Sequence, residues 1–345
     1  MQREGMIYLT QSEEHRAKEI YDQSIVIDAL NYSPTLPNLG HSEYLEEYAR
    51  AGVTAVHFTI QLPYEGLYNF LNQVSLWYEM AEEAECDVAT TAKDIRMAKE
   101  KKKKCIIFGI QNAKPLEENV SLVRVFHKLG IRIIQLAYND QNLIGAGGDE
   151  KDAGLTNLGQ RMIEKMNQIG ILVDVSHCGS RTTMDAIHYS AKPIAFTHAN
   201  PKTLCDHYRN KTDEQLKALA NRGGVVGLTA YTPISKTLKE KRPTLKDFLD
   251  CIDYVAKLIG TEHIGFGLDL SPIVQWDPEG YRVWAVKHPG LAVENLDEIS
   301  IQGLEKPFDI FGIARGLFSR GYSDKEIRGI LGENFLRLFE EAWGG

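Results

Sequence analysis

Short runs of apolar and β-branched residues recur along this chain, and each run ends in polar residues. Such runs are typical of the buried strands of a parallel sheet, because both faces of that sheet are covered. This pattern restricts the fold more than any other feature of the sequence. The eight runs are found at residues 24–32, 54–61, 104–111, 131–138, 170–177, 193–198, 223–230 and 263–270.

Amphipathic segments separate the apolar runs and carry the signals of helix starts and stops. The segments 156–170 and 244–260 each begin with a threonine, repeat apolar residues at helical spacing, and end at a glycine. A threonine hydroxyl accepts a hydrogen bond from a free backbone N–H at a helix start, and glycine readily adopts the conformation that ends a helix. About eight alternating β–α units predict a single TIM-type (β/α)8 barrel, an α/β fold.

The length of the chain agrees with a barrel that carries insertions. The chain has 345 residues, whereas a typical barrel of this kind has roughly 250. We expect one domain, residues 1–345, with a helical insertion after the second strand at 65–100 and a long loop at about 271–305. The alternative fold is a doubly wound open sheet. That fold would place a glycine-rich phosphate loop after the first strand, and none follows residues 24–32.

The acidic charge balance limits the classes of partner. The formal net charge is −8, which opposes binding to nucleic acid or to an anionic membrane surface. The five cysteines lack the spacing of a zinc finger, and their odd number favours free thiols in a reducing compartment. The sequence also lacks an apolar signal core and a run of membrane-spanning length. We therefore expect a cytoplasmic protein that acts on a small molecule.

Polar residues at the strand ends form the candidate site, because active-site groups of a barrel follow the carboxyl ends of its strands. His57, His177, His198 and Asp269 all lie at such ends. A single histidine there is commonly structural, and we interpret His57 as a buried, hydrogen-bonded side chain rather than a metal ligand. Two histidines on consecutive strands lie here together with a carboxylate. For this group, a metal site or an acid–base site and a purely structural role are equal alternatives.

Four segments carry a signature that extends along essentially the whole chain. They are DVSHCGSRTTMDAI at 174–187, PIAFTHANPKTLCDHYRNKTDEQL at 193–216, HIGFGLDL at 263–270 and GYSDKEIRGILGENFLRLFEEAW at 321–343. Together these segments resemble the membrane (renal) dipeptidase family of zinc peptidases. The resemblance implies an amidohydrolase-like barrel that cleaves dipeptides with two zinc ions bridged by a glutamate.

The resemblance also assigns roles to individual residues. His177 and His198 stand where the family has the histidine ligands of one zinc ion. Asp269 matches the family's catalytic aspartate, and Arg209 matches the arginine that binds the substrate carboxylate. Tyr138 stands where the family has a substrate-facing histidine.

Other positions of the resembled site have lost their metal ligands. Leu30 and Tyr32 replace a His-x-Asp pair after the first strand, and Gln111 replaces the bridging glutamate. Two divalent cations a few ångströms apart need carboxylates to offset their repulsion, and these three side chains supply no negative charge. We therefore expect no binuclear zinc centre. A single divalent metal ion, zinc, on His177 and His198 remains chemically reasonable, completed by Asp269 and water.

The sequence favours a hydrolase of dipeptides, or of similar small amides that carry a carboxylate. In this hypothesis Asp269 activates water, Arg209 and Gln111 bind substrate, and the Tyr138 hydroxyl donates to the oxyanion. For Arg209 the alternative is a surface ion pair with Asp206. A metal-free lyase or isomerase in the same pocket and a catalytically silent binding barrel are the competing functions. A homodimer is a further expectation, since dimers are common in the resembled family.

Overall fold

The sheet consists of parallel strands throughout. The computed structural model describes residues 7–32, 37–40, 42–148, 151–235, 242–270 and 278–344. In this part of the chain nine strands form one sheet, with the order β1-β2-β4-β5-β6-β7-β8-β9, and β3 pairs with β4. The strands are β1 (Ile27–Tyr32), β2 (Ala55–Thr59), β3 (Cys86–Val88), β4 (Lys104–Ile110), β5 (Ile131–Gln135), β6 (Leu172–Asp174), β7 (Ala195–Phe196), β8 (Val225–Leu228) and β9 (Ile264–Phe266).

Helices connect these strands, and the two helices predicted at 156–170 and 244–260 are confirmed. Thr156 begins α6 by accepting a hydrogen bond from the backbone N–H of Gly159, and Gly170 ends the same helix with φ of 95°. In the described part of the chain, no helix is long and apolar enough to cross a membrane. The helices are α1 (Gln11–Gln23), α2 (Glu43–Arg50), α3 (Leu67–Glu83), α4 (Ala92–Lys101), α5 (Leu122–Lys128), α6 (Asn157–Ile169), α7 (Ser180–Tyr189), α8 (Asp213–Asn221), α9 (Thr232–Ser235), α10 (Leu245–Ile259), α11 (Pro278–Lys287), α12 (Phe311–Ser319), α13 (Asp324–Arg328) and α14 (Asn334–Trp343).

The eight strands on the main path form a nearly closed barrel. The last strand returns to the first through the residues that follow β9. The backbone N–H of Leu268 donates to Oδ1 of Asp28 at 2.9 Å, and the N–H of Asp269 donates to the carbonyl of Leu30 at 3.0 Å. The predicted (β/α)8 barrel is therefore confirmed, and the alternative of an open doubly wound sheet is excluded.

A short strand lies inside the stretch that the sequence predicts to be helical. Between α3 and α4, the three residues of β3 pair with the start of β4. β5 pairs with β4 only from Phe108 onwards. The start of β4, which β5 does not reach, pairs with β3 instead. Three residues are too few to show a recognisable strand pattern. The domain extent of 1–345 stays a prediction, and residues 271–277 of the predicted long loop lie outside the described residues.

The helix α14 blocks one end of the barrel. Phe335 and Phe339 of α14 belong to the same apolar cluster as Ile27, Leu172 and Val225, which lie at or near the starts of three strands. Because successive strand residues point to opposite faces, such alternate residues line the interior of the barrel. The amino-terminal end is therefore filled with apolar side chains, and the carboxyl end is left for the site.

Candidate functional site

The carboxyl ends of β6 and β7 bring His177 and His198 together. Their Nε2 atoms lie 2.9 Å apart, and their ring centroids are separated by 4.9 Å. Both side chains are buried, with 5% and 1% of their surface exposed. The two histidines that the sequence singles out as metal ligands therefore form a direct pair.

Asn139 fixes the orientation of the His177 ring. Nδ1 of His177 donates to Oδ1 of Asn139 at 2.7 Å. A carbonyl oxygen can only accept, so Nδ1 carries the hydrogen and Nε2 carries the lone pair. Tyr138 stacks on the same ring, with centroids 4.0 Å apart and an interplanar angle of 24°. The hydrogen bond to Asn139 therefore restrains the ring in its plane, and Tyr138 packs against one of its faces.

A carboxylate and a hydroxyl fix the His198 ring in the same way. Oγ1 of Thr197 donates to Oδ2 of Asp174 at 2.7 Å and lies 2.8 Å from Nδ1 of His198. Because the carboxylate takes the hydroxyl hydrogen, Oγ1 accepts from Nδ1 of the ring. The lone pair of His198 is therefore also on Nε2.

Both imidazoles thus direct a lone pair toward the same small region between them. Burial, together with the positive charge of Arg209, lowers the pKa of both His177 and His198 well below the usual range, which favours neutral rings. Two facing lone pairs repel each other unless a cation lies between them. Since neutral imidazole is the form that binds divalent metals, the pair is suited to such an ion.

Gln111, at the end of β4, lies beside this pair. Its Nε2 is 3.1 Å from Nε2 of His198, and its buried Oε1 has no hydrogen-bond partner among the described residues. A half-turn of the terminal amide would exchange the two atoms and bring the oxygen beside His198. Within the described ranges, no group of three or more His, Cys, Asp or Glu side chains is arranged to hold a metal ion. Asp269 therefore does not join the two histidines as a third ligand, contrary to expectation, and the donor set that fits a single ion is two imidazoles and one amide oxygen.

Asp269, after β9, lies in the barrel mouth with an unusual backbone. Its φ is 58°, in the left-handed region that few residues other than glycine adopt. Burial raises the pKa of Asp269 to about 6, and the guanidinium of Arg209 opposes this increase. A carboxylate with a pKa near neutrality is suited to act as a general base.

Arg209 enters the site from the loop that precedes α8. The side chain is 2% exposed, its Nη2 donates to the carbonyl of His198 at 2.8 Å, and its Nη1 donates to the carbonyl of Ser176. Asp206 instead lies 3.6 Å from Nζ of Lys202. The surface ion pair between Arg209 and Asp206 is therefore not formed, and the charge of the guanidinium instead acts on Asp269 by opposing the increase in its pKa.

Aromatic side chains narrow the entrance. The ring of Tyr64 meets Tyr138 edge-on, with centroids 5.6 Å apart, and its hydroxyl lies 2.9 Å from Nε2 of His288. The hydroxyl of Tyr231 donates to the carbonyl of Leu291. The segment that follows α11 is thus bound to the strand-end loops around the mouth through Tyr64 and Tyr231.

His57 lies in the middle of β2 and not at its carboxyl end, so the expected strand-end position is wrong. Its Nδ1 donates to the carbonyl of Ala29 at 2.6 Å, and burial lowers the pKa of His57 to about 4. Gly109 on β4 makes room for this ring, because a Cβ atom there would lie 2.0 Å from its Nε2. The interpretation of His57 as a buried, hydrogen-bonded residue agrees with these contacts.

The sequence analysis did not identify the residues that orient the two histidines through their Nδ1 atoms. One signal was present in the run 170–177, where the polar residues Asp174 and Ser176 interrupt an apolar strand at two-residue spacing. Such spacing places both side chains on one face, here the interior of the barrel. Asn139 and Thr197 had no comparable signal, because Asn139 lies in the polar loop after β5 and Thr197 immediately precedes His198.

Comparison with known proteins identifies the family. The family described as membrane dipeptidase (peptidase family M19) matches residues 14–280. The chain belongs to the membrane dipeptidase family. An amidohydrolase from Pseudomonas aeruginosa is 32% identical, with a TM-score of 0.86 over 95% of this chain and 99% of that one. The family inferred from the four sequence segments is therefore confirmed.

Other comparisons agree with membership of the membrane dipeptidase family. A metallopeptidase from Rhodobacter sphaeroides, solved with a phosphinate mimic of the dipeptide L-Ala-D-Ala, shares the fold with 20% identity and a TM-score of 0.77, over 93% of this chain and all of that one. An uncharacterised dipeptidase from Schizosaccharomyces pombe is 28% identical over 242 residues, which cover 69% of this chain and 53% of that protein. This chain therefore spans about half the length of that relative.

Proposed function

We propose that this chain hydrolyses dipeptides, or similar small amides that carry a carboxylate, at a site that binds one divalent metal ion. One geometric relationship carries the proposal: the Nε2 lone pairs of His177 and His198 face each other across 2.9 Å. Membership of the membrane dipeptidase family supports the reaction class. Zinc is the expected ion, because it favours imidazole ligands and keeps a position open in catalytic sites.

The residues at the other strand ends support one ion rather than two. Leu30 and Tyr32 at the end of β1, and Gln111 after β4, provide no carboxylate where the resembled family has metal ligands. A second ion would also add positive charge near Arg209, which is already buried without a carboxylate in direct contact among the described residues. We therefore assign the ion to the two histidines, with the amide oxygen of Gln111 as a weaker neutral ligand.

The surrounding residues then have distinct roles in hydrolysis. A divalent ion at the pair would supply Lewis acidity toward the scissile carbonyl. Arg209 binds the substrate carboxylate, since its backbone contacts engage two of five N–H donors. Asp269 accepts a proton from the attacking water and returns it to the leaving amine. The hydroxyl of Tyr138 donates to the carbonyl oxygen as that oxygen gains negative charge.

A metal-free lyase or isomerase is the second candidate, and one observation favours it. The cations Arg209 and Lys211 are both buried near the histidine pair and lower the pKa of His177 and His198. The same charges oppose the binding of a divalent cation. In this alternative Asp269 would exchange protons with the substrate without a metal. A catalytically silent barrel would show neither hydrolase activity nor lyase or isomerase activity.

Metal analysis combined with turnover measurements tests the proposal. The purified chain is loaded with zinc, desalted and analysed by mass spectrometry of the metal, and hydrolysis of a dipeptide panel is followed with and without a chelator. We expect about one zinc ion per chain and a chelator-sensitive activity that added zinc restores. His177→Gln should lose the zinc, whereas His188→Gln, an exposed histidine on α7, should retain it. Chelator-resistant turnover of another reaction would support the metal-free alternative, and a lack of any turnover would support the silent barrel.

A further inference from the structure

A second buried cation, Lys211, lies behind the site and has no part in the proposed chemistry. Its side chain is 2% exposed. The ammonium Nζ donates to the carbonyl of Val175 at 2.9 Å, to the carbonyl of Cys178 at 2.8 Å and to Oγ1 of Thr183 at 3.2 Å. These acceptors match the three N–H donors of an ammonium group, so its hydrogen-bonding capacity is fully used.

The backbone acceptors of Lys211 lie on both sides of His177. Val175 is two residues before this histidine, and Cys178 is the next residue after it. The strand β6 ends at Asp174, so beyond it individual hydrogen bonds hold His177, among them those from its N–H to Oε1 of Gln135 at 3.3 Å and from the N–H of Gly148 to its carbonyl at 2.9 Å. The conformation of this segment therefore depends in part on the hydrogen bonds that its carbonyls accept.

The environment of Lys211 is unusual for a lysine. No carboxylate lies within ion-pair distance of its Nζ in the part of the chain that the structure describes, and burial of the unpaired ammonium lowers the pKa of Lys211 to about 7. Partial compensation comes from the ring of Phe196, whose centroid lies 5.2 Å from Nζ. Phe196 is on β7, two residues before His198, so Lys211 contacts both strands that carry the histidine pair.

We propose that Lys211 is a positioning residue, which acts through the carbonyls of Val175 and Cys178 to hold His177 against His198. The inference rests on contacts within the chain and does not depend on the proposed reaction. Replacement of Lys211 by methionine would retain most of the side-chain volume and remove all three donors. Each carbonyl would then lose its ammonium donor and keep one other, the backbone N–H of Cys178 at 3.2 Å on Val175 and Oγ1 of Thr183 at 3.1 Å on Cys178. With the ammonium gone, the segment that carries His177 would relax away from Tyr138.

Nuclear magnetic resonance of the metal-free full chain with labelled histidines tests this role. The His177 signal is assigned by its loss in His177→Gln, and its position reports the ring current of the stacked Tyr138. We expect the signal to shift toward that of an exposed histidine in Lys211→Met, and to stay nearer its original position in Lys211→Arg, which keeps a cationic donor. Lys192→Met is the matched control, because Nζ of Lys192 also donates to a backbone carbonyl, that of Ala342, at 2.8 Å.

A folded Lys211→Met protein whose His177 signal is unchanged, or changed no more than in the Lys192→Met control, would overturn the proposal. If Lys211→Met does not fold, the same measurement on Lys211→Gln decides in the same way. Unfolding of both Lys211→Met and Lys211→Gln would also contradict the proposal. Lys211 would then be required for the fold as a whole rather than for the position of one histidine.

Discussion

His177 and His198 face each other through their Nε2 atoms at 2.9 Å, while the Nδ1 hydrogen of each ring is bound elsewhere. Asn139 engages one ring, and Thr197, itself bound to Asp174, engages the other. Such partners fix both the tautomer and the direction of a histidine ligand. The arrangement of these two histidines and their partners leads to predictions about zinc affinity, the pH dependence of activity and substrate binding.

Thr197→Val should weaken zinc binding with little effect on the fold. Valine has the shape of threonine but cannot accept the hydrogen of Nδ1 of His198, so the ring loses its preferred tautomer. We expect the zinc dissociation constant to rise by about 10- to 100-fold, as for other partners of ligating histidines. Competition with a chromophoric chelator measures this change. Thr203→Val, at an exposed threonine that binds Asp213, is the control, and equal affinities of the two variants would contradict the role of Thr197.

Gln111→Glu should strengthen metal binding. The carboxylate would place a negative charge beside the histidine pair, where the native side chain presents a neutral amide. We expect about tenfold tighter zinc binding, equivalent to about 1.4 kcal/mol. The stoichiometry should also rise above one ion per chain at high zinc concentration. Gln168→Glu, at an exposed position of α6, changes the net charge equally and should leave the affinity unchanged. Weaker binding in Gln111→Glu would show that Gln111 does not face the ion.

The activity should decline in acid with a midpoint near the pKa of Asp269. Burial raises this pKa to about 6, and a protonated carboxyl cannot accept a proton from water. We therefore expect kcat/KM to fall about tenfold for each pH unit below about 6. Because the charge of Arg209 holds this pKa down, Arg209→Ala should move the acid limb to higher pH. A profile that is flat between pH 7 and pH 5 would exclude Asp269 as the base.

Asp269→Asn and Arg209→Ala should affect different kinetic constants. The asparagine variant keeps the shape of the side chain and loses the base, so kcat should fall by about 100-fold or more with little change in KM. Loss of a charged hydrogen-bond donor costs about 1.5–3 kcal/mol, so Arg209→Ala should raise KM by roughly 10- to 100-fold. Steady-state kinetics on an active dipeptide distinguish the two. An unchanged kcat in Asp269→Asn would refute the mechanism even though the family assignment stands.

The barrel and the histidine pair could be predicted from the sequence, because both follow from short-range patterns. Apolar runs define the strands, and the polar residue at the end of a run falls at the carboxyl end of the barrel. His177 and His198 therefore had to lie on neighbouring strand ends. The short strand β3 escaped prediction because three residues carry too little pattern.

The residues that orient the pair could not be predicted, because their contacts join distant parts of the chain. Asn139 binds a ring 38 residues further along, and Lys211 reaches back 36 residues to the carbonyl of Val175. No local pattern marks such a contact, since it depends on how two loops pack after the barrel has formed. The left-handed backbone conformation of Asp269 could not be predicted either, because glycine is the residue expected in that conformation.

Anomalous scattering at the zinc edge from zinc-soaked crystals shows directly whether one ion binds between the two histidines. A one-metal site predicts one strong anomalous peak between His177 and His198, about 2.0–2.1 Å from both Nε2 atoms. It also predicts that this peak disappears in His198→Gln crystals soaked in the same way. The absence of a peak at this position, or a second fully occupied zinc ion beside Leu30 and Tyr32, would contradict the account.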